Sequence, residues 1–252
     1  MAKLGGRRFT GECARGVGAA VAPGWPRTPQ PAFGAGCSRA ATARCVRGTA
    51  TRGKDAVEIQ ALAGELYRIG AVRFGDFVLK DSRHSPFYID LRVLISQPAV
   101  LRRVAQAMVN RAATLQFECL AGIPYAGLPI AVAMSLESDR PLVYPRKEAK
   151  AYGTRRLVEG VFQPGDRALV IDDVITTGGA KLEAIAPLRD AGLVVEHILV
   201  VVDREQSGAE TLARAGLRLH SVLKVRELFD HLRAAGAIGD AEVKLARAFL
   251  ET

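Results

Sequence analysis

The stretch that could do the most chemistry is Ala168-Leu169-Val170-Ile171-Asp172-Asp173-Val174-Ile175-Thr176-Thr177-Gly178-Gly179-Ala180. A four-residue apolar run leads into two adjacent carboxylates, then a Thr/Thr/Gly/Gly turn, then an amphipathic stretch from Lys181 to Ala191 that ends at Gly192. This pattern reads as buried strand, loop and helix. The backbone N–H groups of such a turn and the positive end of the helix face one point just past the strand's carboxyl end, where a phosphate can be held. Carboxylates beside that point can hold hydroxyls or a divalent cation. Phosphate, hydroxyls and cation together describe a sugar phosphate. A Gly-rich turn alone would be an ordinary β-turn-α corner; the Asp pair is what points beyond it.

A second chemically loaded segment is Arg146-Lys147-Glu148-Ala149-Lys150-Ala151-Tyr152-Gly153-Thr154-Arg155-Arg156, continuing to about Pro164. It is densely cationic and has no apolar face to bury, so it is expected to be a mobile loop after a strand end. A charge run of this kind also fits a plain solvated loop. A third is Phe77 to Asp90, where two β-prone runs flank the polar turn Asp81-Ser82-Arg83-His84, a hairpin pattern.

The elements that must position these groups follow from periodicity. Ile59, Leu62, Ala63 and Leu66 share a helical face, with Gly70 at the place of a C-terminal glycine. Ser96 is expected to cap a helix with Pro98 in its first turn, running to about Leu115. Strands and helices then alternate: a strand at 119–123, a helix at 126–136, strands at 141–144 and 167–171, a helix to 191, a strand at 194–202, a short helix from 209, a strand at 217–223 and helices from about 225 and 240. Such alternation implies an α/β fold with a mostly parallel central sheet flanked by helices and with ligands at the strands' carboxyl ends. That topology puts the cationic loop on the same rim as the phosphate turn.

The 252 residues fit one α/β domain with an appendage, and an apolar fraction of 49% supports a sizeable core. No apolar run reaches the roughly 18 residues of a membrane helix. The net charge of +9 is concentrated at the front, where residues 1–53 carry nine basic side chains against Glu12 alone. The remaining chain, 54–252, is near neutral, and its charge makes no case for nucleic-acid binding. Residues 1–53 are rich in Gly, Ala, Pro and Arg without a period and read as a disordered extension: a transit peptide, a basic nucleic-acid arm or an upstream segment of no function. Cys13, Cys37 and Cys45 lie in that extension and match no metal or redox spacing. Cys119 stands in an apolar stretch as a reduced core residue, which fits a cytoplasmic setting.

Taken together, the residues resemble the type I phosphoribosyltransferase family, and within it the orotate type. Val170 to Gly178 resembles the family's signature for phosphoribosyl pyrophosphate (PRPP). Leu79-Lys80-Asp81-Ser82-Arg83-His84-Ser85-Pro86-Phe87-Tyr88 resembles the base-binding hairpin, Arg146 to Gly153 the catalytic loop, and Val202-Asp203-Arg204-Glu205-Gln206 the segment whose arginine meets the orotate carboxylate. The similarity runs from about Lys54 to the carboxyl end and leans toward the type fused to a decarboxylase in animal UMP synthase, with no decarboxylase expected within these residues.

The resemblance implies a type I phosphoribosyltransferase fold with a small base-binding hood and a flexible catalytic loop. It implies transfer of the 5-phosphoribosyl group from PRPP to orotate with release of pyrophosphate. Thr176, Thr177, Gly178 and Gly179 would cradle the 5′-phosphate; Asp172 and Asp173 would hold the ribose hydroxyls and serve Mg2+ directly or through PRPP and water. Lys80, Phe87 and Arg204 would grip the base, and the backbone of Tyr125 would border the pyrophosphate. Lys150, with Arg146, Lys147 and Tyr152, would close over the leaving group, reaching into a neighbouring subunit's site in a homodimer. Two positions depart from the family: Ala151, where an Asp is frequent, and Ala126, where bacterial-type members have Lys. The alternatives are a purine-type transferase, which would have no carboxylate for Arg204 to pair, and a PRPP-binding regulator, which would not need leaving-group cations.

Overall fold

The computed structural model describes residues 52–79, 82–146 and 157–251. The first 51 residues, and with them most of the basic extension, lie outside the described residues. Helix α1 is Arg52–Arg68, followed by a two-stranded antiparallel hairpin of β1 (Val72–Val78) and β2 (His84–Ile89). A 3-10 turn spans Leu91–Ser96 before α2 (Pro98–Ala112). Ser96 therefore ends the 3-10 turn rather than capping α2, and Gln97 takes the cap position; Asp90 is the capping side chain here, accepting from Arg92 N at 3.1 Å.

The remaining elements are β3 (Cys119–Gly122), α3 (Gly127–Ser138), β4 (Leu142–Pro145), β5 (Val158–Glu159), β6 (Arg167–Ile175), α4 (Gly179–Asp190), β7 (Val194–Asp203), α5 (Gly208–Arg214), β8 (Arg218–Lys224), α6 (Val225–Ala234) and α7 (Asp240–Leu250). Six strands form one sheet in the order β5-β4-β3-β6-β7-β8, parallel except for the two-residue β5 at its edge. The short β5 is hidden in the sequence by its cationic surroundings. Parallel strands buried on both faces require continuous apolar runs, as in Leu169-Val170-Ile171 and Ile198 to Val202, all essentially without exposed surface. One face packs against α2 and α3, whose Met108, Ile130 and Ala131 meet Leu169, Ile171 and Leu199; the other packs against α4 and α5 through Ile185, Leu188 and Leu212.

The chain runs outward from β3 to β4 on one side and from β6 through β7 to β8 on the other. The crevice between the carboxyl ends of β3 and β6 is therefore the switch point where open α/β sheets bind ligands. The hairpin forms a small hood with α1, α6 and α7, centred on an aromatic group in which Phe229 meets Phe87 edge-on at 5.0 Å and Phe74 at 5.5 Å. Among the described residues no helix is long and apolar enough to cross a membrane.

Candidate active site

Strand β6 continues past the Asp pair to Ile175, so both carboxylates sit within the strand rather than after it. Gly178 then adopts φ +85°, a left-handed conformation open to glycine at no steric cost, and serves as the N-cap of α4 with no side chain capping the helix. In the first turn of α4, Lys181 N donates to Gly178 O at 3.0 Å, while the N–H groups of Gly179 and Ala180 have no intrahelical acceptor, so these two and the helix dipole are available to an anion beside Thr176, Thr177, Gly178 and Gly179.

The two aspartates are not equivalent. Asp172 is buried, with Oδ1 accepting from Asp173 N at 2.8 Å and Oδ2 paired to the Lys181 ammonium. Burial pushes its carboxyl up, to about 7, against the opposing pull of Lys181. Asp173 is half-buried, and its Oδ1 accepts from Val174 N at 2.7 Å; its Oδ2 meets no donor among the described residues. Of the pair, Asp173 is the carboxylate with an oxygen to offer a ligand. Lys181 itself was not anticipated from the sequence. Its signal is a cation in the first turn of a helix, which the dipole disfavours unless a nearby anion holds it.

Helix α3 enters the same crevice. A Cβ on Gly127 would come within 2.6 Å of Ile171 O and 2.8 Å of the Asp172 carboxylate, so glycine is what lets the start of α3 lie against β6. The turn before it carries Tyr125, which is 73% exposed, and Ala126. The Pro124–Tyr125 peptide bond is cis, a feature no sequence pattern announces.

The register of β6 with β7 pairs Ile175 with Asp203, and Arg204 N donates to Ile175 O at 3.1 Å. This sets Arg204 directly beside the phosphate turn. The Arg204 guanidinium lies over the Phe87 ring, 5.0 Å from its centroid. Its Nε and Nη2 are buried and meet no acceptor among the described residues. Burial, and next the like charge of Arg83, hold the group below its ordinary range. Unpaired guanidinium donors out of water are costly, and a planar carboxylate is their best partner. Phe87 has no exposed surface, so what it brings to the site is the platform under Arg204. Arg83, stacked 5.6 Å over Phe249, adds a second guanidinium to this region that the sequence left unassigned.

At the stem of the cationic loop, Arg146 N donates to Leu157 O at 2.7 Å, and the Arg146 guanidinium pairs with Glu159 at 2.8 Å. With β4–β5 pairing, these contacts hold the two ends of the loop together at the rim. Lys147, Lys150 and Tyr152, like Lys80 in the hairpin, lie outside the described residues.

An orotate phosphoribosyltransferase from Chlamydia caviae is 39% identical over 189 residues, covering 74% of this chain and 92% of that protein. The chain belongs to the orotate phosphoribosyltransferase family. The structure of Leishmania donovani UMP synthase aligns with a TM-score of 0.70 at 41% identity over 76% of this chain and 41% of that one. Orotate phosphoribosyltransferase from Mycobacterium tuberculosis, solved with PRPP, aligns at 27% identity and a TM-score of 0.58, covering 68% of this chain and 99% of that one. The chain spans about two fifths of the length of the bifunctional relatives it matches, among them uridine 5′-monophosphate synthases from Caenorhabditis elegans and Bos taurus. No family model matches the chain. The type I phosphoribosyltransferase fold expected from the motifs is the fold these relatives share.

Proposed function

We propose that the chain transfers the 5-phosphoribosyl group from PRPP to orotate, forming orotidine 5′-monophosphate and pyrophosphate, a step of pyrimidine biosynthesis. The observation that carries this reading is Arg204. A guanidinium with buried, unpartnered donors beside a phosphate turn asks for an anionic, planar acceptor, and a neutral purine has none to give.

In this reading the 5′-phosphate sits on the N–H groups and hydroxyls of Thr176 to Gly179, and Asp173 takes the ribose hydroxyls. Asp172, held by Lys181, keeps β6 and α4 in register beneath them. Arg204 receives the orotate carboxylate on its Phe87 platform, with Lys80 closing on the base. The Tyr125 turn borders the pyrophosphate. Lys150, with Lys147, Arg146 and Tyr152, covers the leaving group and excludes water as negative charge builds on it.

Mg2+ belongs to this proposal and fits the residues present. Among the described residues no group of three or more His, Cys, Asp or Glu side chains could hold a metal, while Asp173 offers one carboxylate oxygen. That matches a cation carried mainly by the substrate's phosphates, with one protein carboxylate and water completing its shell. When bound, it supplies charge neutralisation on the pyrophosphate.

A homodimer is also part of the reading, supported by Val132 and Leu136, which lie one turn apart on α3 and are 42% and 79% exposed. A cytoplasmic setting is also part of the reading and agrees with Cys119 being a buried free thiol. Titration tests the division of labour: Arg204→Ala is expected to lose orotate affinity by about tenfold or more with PRPP affinity retained, and Asp173→Asn the reverse. Equal loss of both ligands in the Arg204 variant would refute it.

A further inference from the structure

The acceptor arginine is held by more than its own turn. Asp203 closes β7, and its Oδ1 accepts from Glu205 N at 2.9 Å. Glu205 then takes a left-handed φ of +52°, a conformation that a residue with a Cβ keeps only when its surroundings hold it there. The holding contact comes from the start of α6. Arg226 is the second residue of that helix, so its N–H has no intrahelical acceptor; it donates to Glu205 Oε2 at 3.0 Å. The Arg226 Nε lies 3.8 Å from the same oxygen, and its Nη2 donates to Glu251 at the end of α7 at 2.7 Å. A carboxylate at a helix N-terminus is favoured by the dipole as well as by the hydrogen bond.

The same helix carries Phe229, whose ring packs edge-on against Phe87 at 5.0 Å, and Phe87 is the surface on which Arg204 rests. Helix α6 thus fixes Arg204 twice: from below through Phe229 and Phe87, and from the side through Arg226 and Glu205. The two supports, Arg226 and Phe229, are three residues apart on the same helix, so any rotation of α6 moves both together.

We propose that Glu205 and Arg226 are positioning residues for acceptor recognition, clamping the turn after β7 to α6 so that the Arg204 guanidinium stays aimed at the acceptor's carboxylate. This rests on the acceptor role of Arg204 given above. Glu205 touches no substrate in this scheme; it acts through its neighbour.

Two substitutions separate the clamp from the backbone it constrains. Glu205→Asn keeps a residue that tolerates the left-handed region but is too short to reach Arg226. Glu205→Gln keeps the reach and an acceptor oxygen but loses the charge. Steady-state kinetics should show the orotate KM of the Asn variant raised about tenfold, the size of a lost charge-assisted hydrogen bond, with the PRPP KM within about twofold and the melting temperature near that of the unsubstituted protein. The Gln variant should show a smaller rise in orotate KM, of about two- to threefold over the unsubstituted protein. Should the Asn variant not fold, the Gln variant decides alone by whether its smaller rise is confined to orotate. An unchanged orotate KM, or equal rises in both KM values, in a folded variant overturns the clamp. Absence of orotate turnover by the unsubstituted protein would instead sink the functional reading, and the clamp with it.

Discussion

At the scale of single residues, the site separates groups that look alike in the chain. Asp172 and Asp173 are neighbours of one type, yet one is buried against Lys181 and the other keeps an oxygen open. Removing the cation should expose the difference. Lys181→Met leaves the Asp172 carboxylate buried without a partner wherever it is ionised, a loss of about 3 kcal/mol at alkaline pH. The sign of its pH dependence follows from the direction of the shift: burial raises the folded carboxyl above its unfolded value, so the folded state takes up the proton first. The penalty on Lys181→Met should therefore be full at alkaline pH and shrink as pH falls to about 7, where the Asp172 carboxyl takes up its proton in both folded proteins. Urea titrations of both proteins across that range check it; a deficit that does not change with pH would contradict the pairing. The motif from Ile171 to Gly179 makes the strand, turn and helix of the candidate phosphate site legible in the sequence. The Lys181 partnership is not, because nine residues of strand, turn and helix must fold before the two charges meet.

At the scale of elements, the strand order decides which loops share the rim. The apolar runs of β6 and β7 announce themselves as buried parallel strands, but nothing in them says that Ile175 lies opposite Asp203. That pairing is what brings Arg204 to the turn Thr176 to Gly179, so the proposed acceptor and donor halves of the site meet through register rather than through any local pattern. The entry into the sheet is set in a similar way at its other end. Glu118 N donates to Arg167 O at 2.8 Å, and the Glu118 carboxylate takes both Arg167 N and its guanidinium, extending the β3–β6 ladder by one rung. The Arg167 hydrogen bond holds the Glu118 carboxyl down to about 2, below its usual value of 4.5. A lowered acid stabilises the fold above its unfolded value and loses that contribution as pH falls through the folded one. Thermal melts of Glu118→Gln should show a deficit against the unsubstituted protein at pH 6 that fades between about pH 5 and 2. A constant offset across that interval would show that the pair does not set the ladder's end. The edge strand β5 and the 3-10 turn at Leu91–Ser96 escaped the sequence for a simpler reason: two residues of strand carry no period, and a 3-10 turn before Pro98 looks like the helix's own start.

At the scale of the whole molecule, the hood and the sheet are joined by α6, which touches the hairpin through Phe229 and the acceptor turn through Arg226. The exposed pair Val132 and Leu136 on α3 is the face expected to meet a second copy. Leu136→Glu should shift the protein toward monomer in sedimentation velocity and lower turnover with it, since the cationic loop is proposed to serve the partner's site; a fully active monomer would contradict that sharing. The central claim is that a planar anionic base is the acceptor and PRPP the donor. It is tested most directly by following orotate absorbance in the presence of PRPP and Mg2+, with adenine and hypoxanthine as competing acceptors. Loss of orotate signal that requires PRPP, releases pyrophosphate and is unaffected by either purine is the expected result. Consumption of a purine with orotate left untouched would contradict it.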